Sequence, residues 1–113
     1  MSLDVDLMVV QPCSVYSGNI THNLNKMAMA VELSNGKTLY DVLWRPDEHE
    51  YTRAIEIVSL LSEGLVELVR YPEKYKTLNP SNGWGSYEGL IEFVKKYHSA
   101  CLDNPEAEIR VSR

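Results

Sequence analysis

Both ends of this 113-residue chain alternate in hydropathy with a period of two, while the stretch between them is patterned for helices. Near the start, Val5, Leu7 and Val9 alternate with Asp4, Asp6 and Met8, and residues 4–16 read as a half-buried strand. Cys13, Val15 and Ser17 continue that pattern. Pro12 lacks a ladder donor, which predicts a bend, a bulge or an edge position there. Ser17-Gly18-Asn19 then breaks the strand. Near the other end, Ala107, Ile109 and Val111 alternate with Glu108, Arg110 and Ser112. Two separated strands cannot each bury a face alone, and an isolated pair is marginal. The economical solution is an α+β fold, in which a small antiparallel sheet pairs the N- and C-terminal strands and packs against three to four helices. The length predicts one domain over residues 1–113.

The helices are delimited by their punctuation. Thr21 reads as an N-cap for a helix over 22–33, with Leu24, Met27, Ala28 and Val31 on its apolar face, and Asn35-Gly36 reads as its stop. Leu39 to Trp44 forms a short element closed by Arg45-Pro46, because the residue before proline disfavours the helical region. A long helix is predicted over 51–70, with Ile55, Val58, Leu61, Leu65, Leu68 and Val69 as its stripe. Gly64 inside it costs ~1 kcal/mol against Ala, which implies close packing on a neighbour. Pro72 suits the first turn of a short helix over 72–77 that carries Tyr75. Ser86 caps a final helix whose stripe is Tyr87, Leu90, Ile91, Val94, Tyr97, His98 and Cys101, and which Asp103-Asn104-Pro105 ends.

Charge and cysteine usage limit the partners. The net charge is −5 and the pI about 5.1, so duplex nucleic acid and acidic membrane surfaces are not expected partners. Cys13 and Cys101 are far apart and show no CxxC or Cys/His spacing, so neither a metal nor a cofactor is expected. Two reduced thiols suit a cytoplasmic setting. The N-terminus has no basic region followed by a long apolar run, so no signal peptide is expected, and no apolar segment approaches the length of a membrane span.

Three segments hold candidate binding residues. The first is Asn19-Ile20-Thr21-His22-Asn23, where a strand meets a helix and polar donors and acceptors crowd together. The structural alternative is that Asn19 and Thr21 only cap the turn. The second is Asn79-Pro80-Ser81-Asn82-Gly83-Trp84-Gly85-Ser86-Tyr87. Its glycines would let a ligand approach the backbone, while Trp84 or Tyr87 stacks on a planar group. Here the alternative is a tight helix connection with Trp84 plugging the core. The third is Trp44-Arg45-Pro46-Asp47-Glu48-His49-Glu50, where Arg45 would clamp a carboxylate or phosphate, or else pair with Asp47 or a helix C-terminus. If the first two segments meet at one end of the sheet, they form a cleft for a nucleotide-like or other polar small molecule.

A catalytic constellation is harder to assemble. His98 lies on the apolar face of the last helix, and Cys101, three residues on, has nothing to orient it as a nucleophile. No GxSxG, HExxH or paired-carboxylate signature occurs, so the chain is expected not to be an enzyme, with His22 the one candidate base if it were.

Taken together, Asn19-Ile20-Thr21-His22-Asn23-Leu24 with Lys26-Met27-Ala28, Leu43-Trp44-Arg45-Pro46, and Asn79-Pro80-x-Asn82-Gly83-Trp84-Gly85-x-Tyr87-Glu88-Gly89-Leu90 resemble a family of small phage and prophage proteins. The resemblance spans roughly residues 14–113. That family carries no assigned activity, so the resemblance implies a phage origin and a host-cytoplasm setting rather than a chemistry. The chain departs from the family pattern at Asn25, where a glycine is usual, and in a longer connection before Trp44.

The expected function is a non-catalytic phage-type accessory protein, with a ligand site built from Asn19, Thr21, His22, Asn23, Arg45, Asn82, Gly83, Trp84 and Tyr87. The alternative is a protein–protein interaction module acting on a host or phage protein, or assembling as a homo-oligomer. Its seven tyrosines and two tryptophans would supply the anchors.

Overall fold

In a computed structural model, which describes residues 2–9 and 13–113, the strand β1 (Ser2–Val9) is flanked on one side by β2 (Cys13–Thr21) and on the other by β3 (Glu108–Ser112). Both pairings are antiparallel, so the two ends of the chain do meet in one sheet. Asp4 lies opposite Asn19 in one ladder and Ser112 in the other; Asp6 lies opposite Ser17 and Arg110. Side chains alternate across the pleat. Leu3, Val5 and Leu7 therefore enter the core, while Ser2, Asp4 and Asp6 share the open face with Thr21, Asn19 and Ser17. A shift of register between Leu7 and Met8 bulges the β1–β2 pair, and Val9 beyond it is exposed.

The described residues of the segment 4–16 thus belong to two antiparallel strands rather than one. Pro12 lies outside the described residues, so the bend expected there is not addressed. β2 also runs straight through Ser17-Gly18-Asn19, where a break was expected. Ladder pairing to β1 outweighs the local turn preference, and Gly18 has a packing reason to be there. A Cβ on it would lie 2.7 Å from the Tyr16 hydroxyl and 3.2 Å from Phe93 of the last helix.

The helix expected over 22–33 is shorter. A 3-10 turn over His22–Leu24 leads into α1 (Asn25–Met29), and Thr21 caps it as expected, its Oγ1 accepting the Asn23 amide at 3.3 Å. The chain then reverses. Leu33 N donates to the Lys37 carbonyl (2.8 Å), Leu39 N to that of Val31 (2.9 Å), and Asn35 Oδ1 accepts the Lys37 amide (3.0 Å). Asn35-Gly36 therefore turns a small β-type loop instead of stopping a helix. α2 (Leu39–Trp44) starts at a capping box, with Thr38 N donating to Asp41 Oδ2 at 2.9 Å and Asp41 N to Thr38 Oγ1 at 3.4 Å.

The long helix divides into a 3-10 turn over Ala54–Glu56 and α3 (Val58–Arg70). Glu56 gathers the amides of Thr52 (2.6 Å) and Arg53 (2.9 Å), which ties the entry to the side of the helix axis and holds its carboxyl below the usual range. Ile55 is 54% exposed and Val69 55%, and the buried stripe consists of Ile57, Leu60, Leu61 and Leu68. α4 (Pro72–Lys76) buries Tyr75, whose hydroxyl donates to Glu67 at 2.7 Å. α5 (Tyr87–Asp103) is capped by Ser86, and buries Tyr87, Leu90, Val94, Tyr97 and Cys101 together with Phe93. Ile91 and His98 are only half-buried. β3 receives a further tie from the Ile109 amide to the Thr52 carbonyl (2.8 Å).

Gly64 has the close neighbour its position implied. A Cβ there would meet Leu39 Cδ1 at 2.8 Å, and Leu39 is fully buried. Overpacking of this kind costs ~1–3 kcal/mol, against a gain of ~1 kcal/mol in helix propensity. We expect Gly64→Ala to lower stability by about 1 kcal/mol in urea unfolding, and the loss to shrink in a Leu39→Ala background that already holds a cavity. A stabilised Gly64→Ala protein would contradict the packing.

Candidate functional site

β2 ends at Thr21 on the open, polar face of the sheet, and the chain turns there into the 3-10 segment. The loop before α5 comes to the same place. Gly85 is pressed against this turn so tightly that a Cβ on it would stand 2.8 Å from Thr21 Cγ2 and 3.0 Å from Leu24 Cγ. Its φ of +100° lies in the left-handed region, so both conformation and space call for glycine. The two junctions singled out in the sequence therefore touch.

Between them lies a hollow of about 540 Å³ lined by Ser2, Asn19, Thr21, His22, Asn23 and Trp84. The Trp84 indole is 70% exposed and forms a wall rather than a core plug. The buried tryptophan is Trp44, which is 2% exposed. The backbone beneath Trp84 is fixed by side chains. Asn82 Oδ1 accepts the Trp84 amide (2.9 Å), Asn79 Oδ1 accepts the Tyr87 amide (2.8 Å), and Gly83 turns with φ +79°.

On the opposite wall, Asn19 donates both carboxamide hydrogens, to Ser2 Oγ at 2.8 Å and Asp4 Oδ1 at 2.6 Å. This fixes its orientation and leaves Oδ1 as an acceptor. Thr21 Oγ1 is occupied by the Asn23 amide but keeps its own hydroxyl hydrogen. His22 packs edge-on to Trp44, centroids 6.2 Å apart, with Nε2 sealed from solvent and without a partner among the described residues.

Four of the nine expected site residues do not line the hollow. Tyr87 is buried, its hydroxyl donating to the Leu68 carbonyl, because the first turn of α5 must close the core over α3. Asn82 and Gly83 shape the loop from behind. Arg45 is engaged elsewhere, by the Tyr40 hydroxyl (3.2 Å) and Glu48 (2.9 Å). Its anticipated partner Asp47 instead takes Arg113 bidentately, at 2.7 and 3.2 Å, and Arg113 holds that carboxyl below the usual range. Ser2 is a lining residue missed in the sequence, although extending the period-2 alternation of β1 back by two residues places it beside Asp4.

Nothing among these groups assembles a nucleophile with a base. Burial pushes the Cys101 thiol up to about 12, so it packs as a neutral apolar group. Among the described residues, no three His, Cys, Asp or Glu side chains group as a metal site would need, and no helix is long and apolar enough to cross a membrane. Comparison with protein-family models, with curated proteins and with solved structures finds no match for the chain.

Gly85 and Gly83 share a positive φ but differ in surroundings, since a Cβ at Gly83 meets nothing within 4 Å. Gly83→Ala should cost only the conformational strain, about 1 kcal/mol. Gly85→Ala adds a clash with Thr21 and Leu24 and should cost about twice that or more, seen as a larger fall in denaturation midpoint. Equal losses would mean that the loop does not rest on the Thr21 turn.

Proposed function

We propose that this chain is a non-catalytic phage-type accessory protein that binds a polar or nucleotide-like small molecule in the hollow between the 18–24 and 79–87 segments. The observation that carries this reading is the exposed Trp84 indole standing over a floor of hydroxyls and carboxamides. A large apolar ring beside convergent polar groups is the usual make-up of a small-molecule site. The ties on Asn19 and on the backbone beneath Trp84 favour binding further, because ordering those groups beforehand reduces the conformational freedom lost on association. The phage attribution rests on the motif resemblance alone.

The test is a titration of Trp84 emission with nucleosides, nucleotides and sugars. Trp44, being buried, supplies a constant background. A ligand is expected to alter emission and to lose its effect in Trp84→Ala. That variant should keep the wild-type melting temperature within about a degree or two, because the indole is largely free of the core. A panel that leaves the indole unmoved would dismiss the reading.

A second reading, an interaction module, has its own supporting observation. On α3, Leu65, Val66, Val69 and Arg70 line a shallow hollow of about 450 Å³, with Val66 50% and Val69 55% exposed. Solvent-facing valines on a helix are candidates for contact with another protein surface. If that face joins two copies, sedimentation should show a dimer that Val69→Asp converts to monomer. A monomer at all concentrations rules out self-association through it.

A further inference from the structure

Resting on the ligand site just proposed, we infer that the hollow beside Trp84 takes an uncharged, hydroxyl-bearing ring, a saccharide, and rejects phosphorylated ligands. The charge around the hollow argues first. Its lining holds no Lys or Arg. Asp4 lies outside the lining, but its carboxylate backs the Asn19 wall at 2.6 Å from the carboxamide, and Asp6 follows on the same face of β1. A phosphate is normally held by Arg or Lys, or by free amides at a helix start. At the start of α5 the Tyr87 amide is already taken by Asn79 and the Gly89 amide by Ser86 Oγ (3.0 Å), and Lys76, the cation at that turn, is engaged by Glu88 at 3.8 Å. Among the described residues, the lining therefore offers an entering anion no cation to pair with.

The hydrogen-bond inventory points the same way. Asn19 presents an acceptor, Thr21 retains a donor, and the Asn23 carboxamide, exposed and unpaired among the described residues, offers both. Ring hydroxyls each donate and accept, so neighbouring hydroxyls fit such a mixed set. Trp84 supplies the remaining element. The electron-rich face of an indole attracts the weakly positive C–H groups on one face of a sugar ring, and burying that face removes apolar surface from water. An organic cation would also favour the indole face. Enclosure by several aromatic rings is the usual device for cations, and here Trp84 is the one aromatic ring of the lining besides the His22 imidazole.

The test is a two-armed titration followed by the indole N–H resonance of Trp84, assigned by its absence in Trp84→Phe. One arm uses the methyl glycosides of glucose, galactose, mannose and N-acetylglucosamine, with their short β-linked oligomers. The other uses adenosine, uridine and their 5′-monophosphates. At least one member of the sugar arm is expected to shift the resonance saturably at about millimolar concentration. Trp84→Ala and Asn23→Ala should each weaken that binding about tenfold or more with unchanged melting temperature. The monophosphates should leave the resonance in place. Saturable binding of a nucleoside or a monophosphate with the sugars silent would overturn the saccharide inference and leave the binding site standing. Silence in both arms would overturn both.

Discussion

The position of β1 between β2 and β3 is the constraint on which the rest of this structure depends. It is the central strand of the sheet, paired with a full strand along each edge, and it joins residues 13–21 to residues 108–112. Its register decides which face of the sheet is which, because a slip of one residue would send Leu3, Val5 and Leu7 to solvent and Ser2, Asp4 and Asp6 into the core. The helices cover the first face. The second face is left open, and its polar rows end at the Ser2–Thr21 pair, where the chain leaves the sheet. The floor of the hollow is therefore the end of the sheet's uncovered side, and the core pattern that fixes the fold also fixes the site's chemistry.

Several of the motif residues are occupied by architecture. His22 meets Trp44 edge-on, and Trp44 stacks on Tyr40 with centroids 5.5 Å apart, so the first and third segments are joined through one aromatic contact. Arg45 donates to the Tyr40 hydroxyl, and Arg113 reaches back to the Trp44 carbonyl at 2.9 Å. Of these groups His22 alone lines the hollow, and the others pack behind it. The guanidinium of Arg45 is taken up by Tyr40 and Glu48 and does not reach the hollow.

The sheet's end strands, the Thr21 and Ser86 caps, the Pro72 helix and the close packing at Gly64 were legible because each rests on local chemistry with a strong preference: alternation, a side-chain cap, a missing N–H, a missing Cβ. What was not legible depended on partners distant in sequence. Ser17-Gly18-Asn19 looks like a break until β1 pairs with it and Phe93 packs against Gly18. Residues 51–57 carry helical spacing, but Glu56 captures the Thr52 and Arg53 amides and the strand β3 takes the Thr52 carbonyl, so the helix begins later. At the site, side-chain type was readable and direction was not. Tyr87 and Trp84 are three residues apart and both aromatic, yet the start of α5 turns the first inward and the glycine-flanked loop turns the second outward.

The outward Trp84 separates what the loop needs for its own stability from what it offers to a ligand. The loop is held by the carboxamides of Asn79 and Asn82, by the positive φ of Gly83 and Gly85, and by the contact of Gly85 with Thr21 and Leu24. None of these ties uses the indole. A tryptophan in the core would return ~2–3 kcal/mol or more through burial, and the fold already has Trp44 in that role. With most of its surface in water, Trp84 realises only a small part of that gain within the chain. The remainder is available only to a contact from outside, and the walls that would receive such a contact are already in place. Binding there would bury the ring without reorganising the loop, so affinity could change through the lining side chains while the fold stayed as it is.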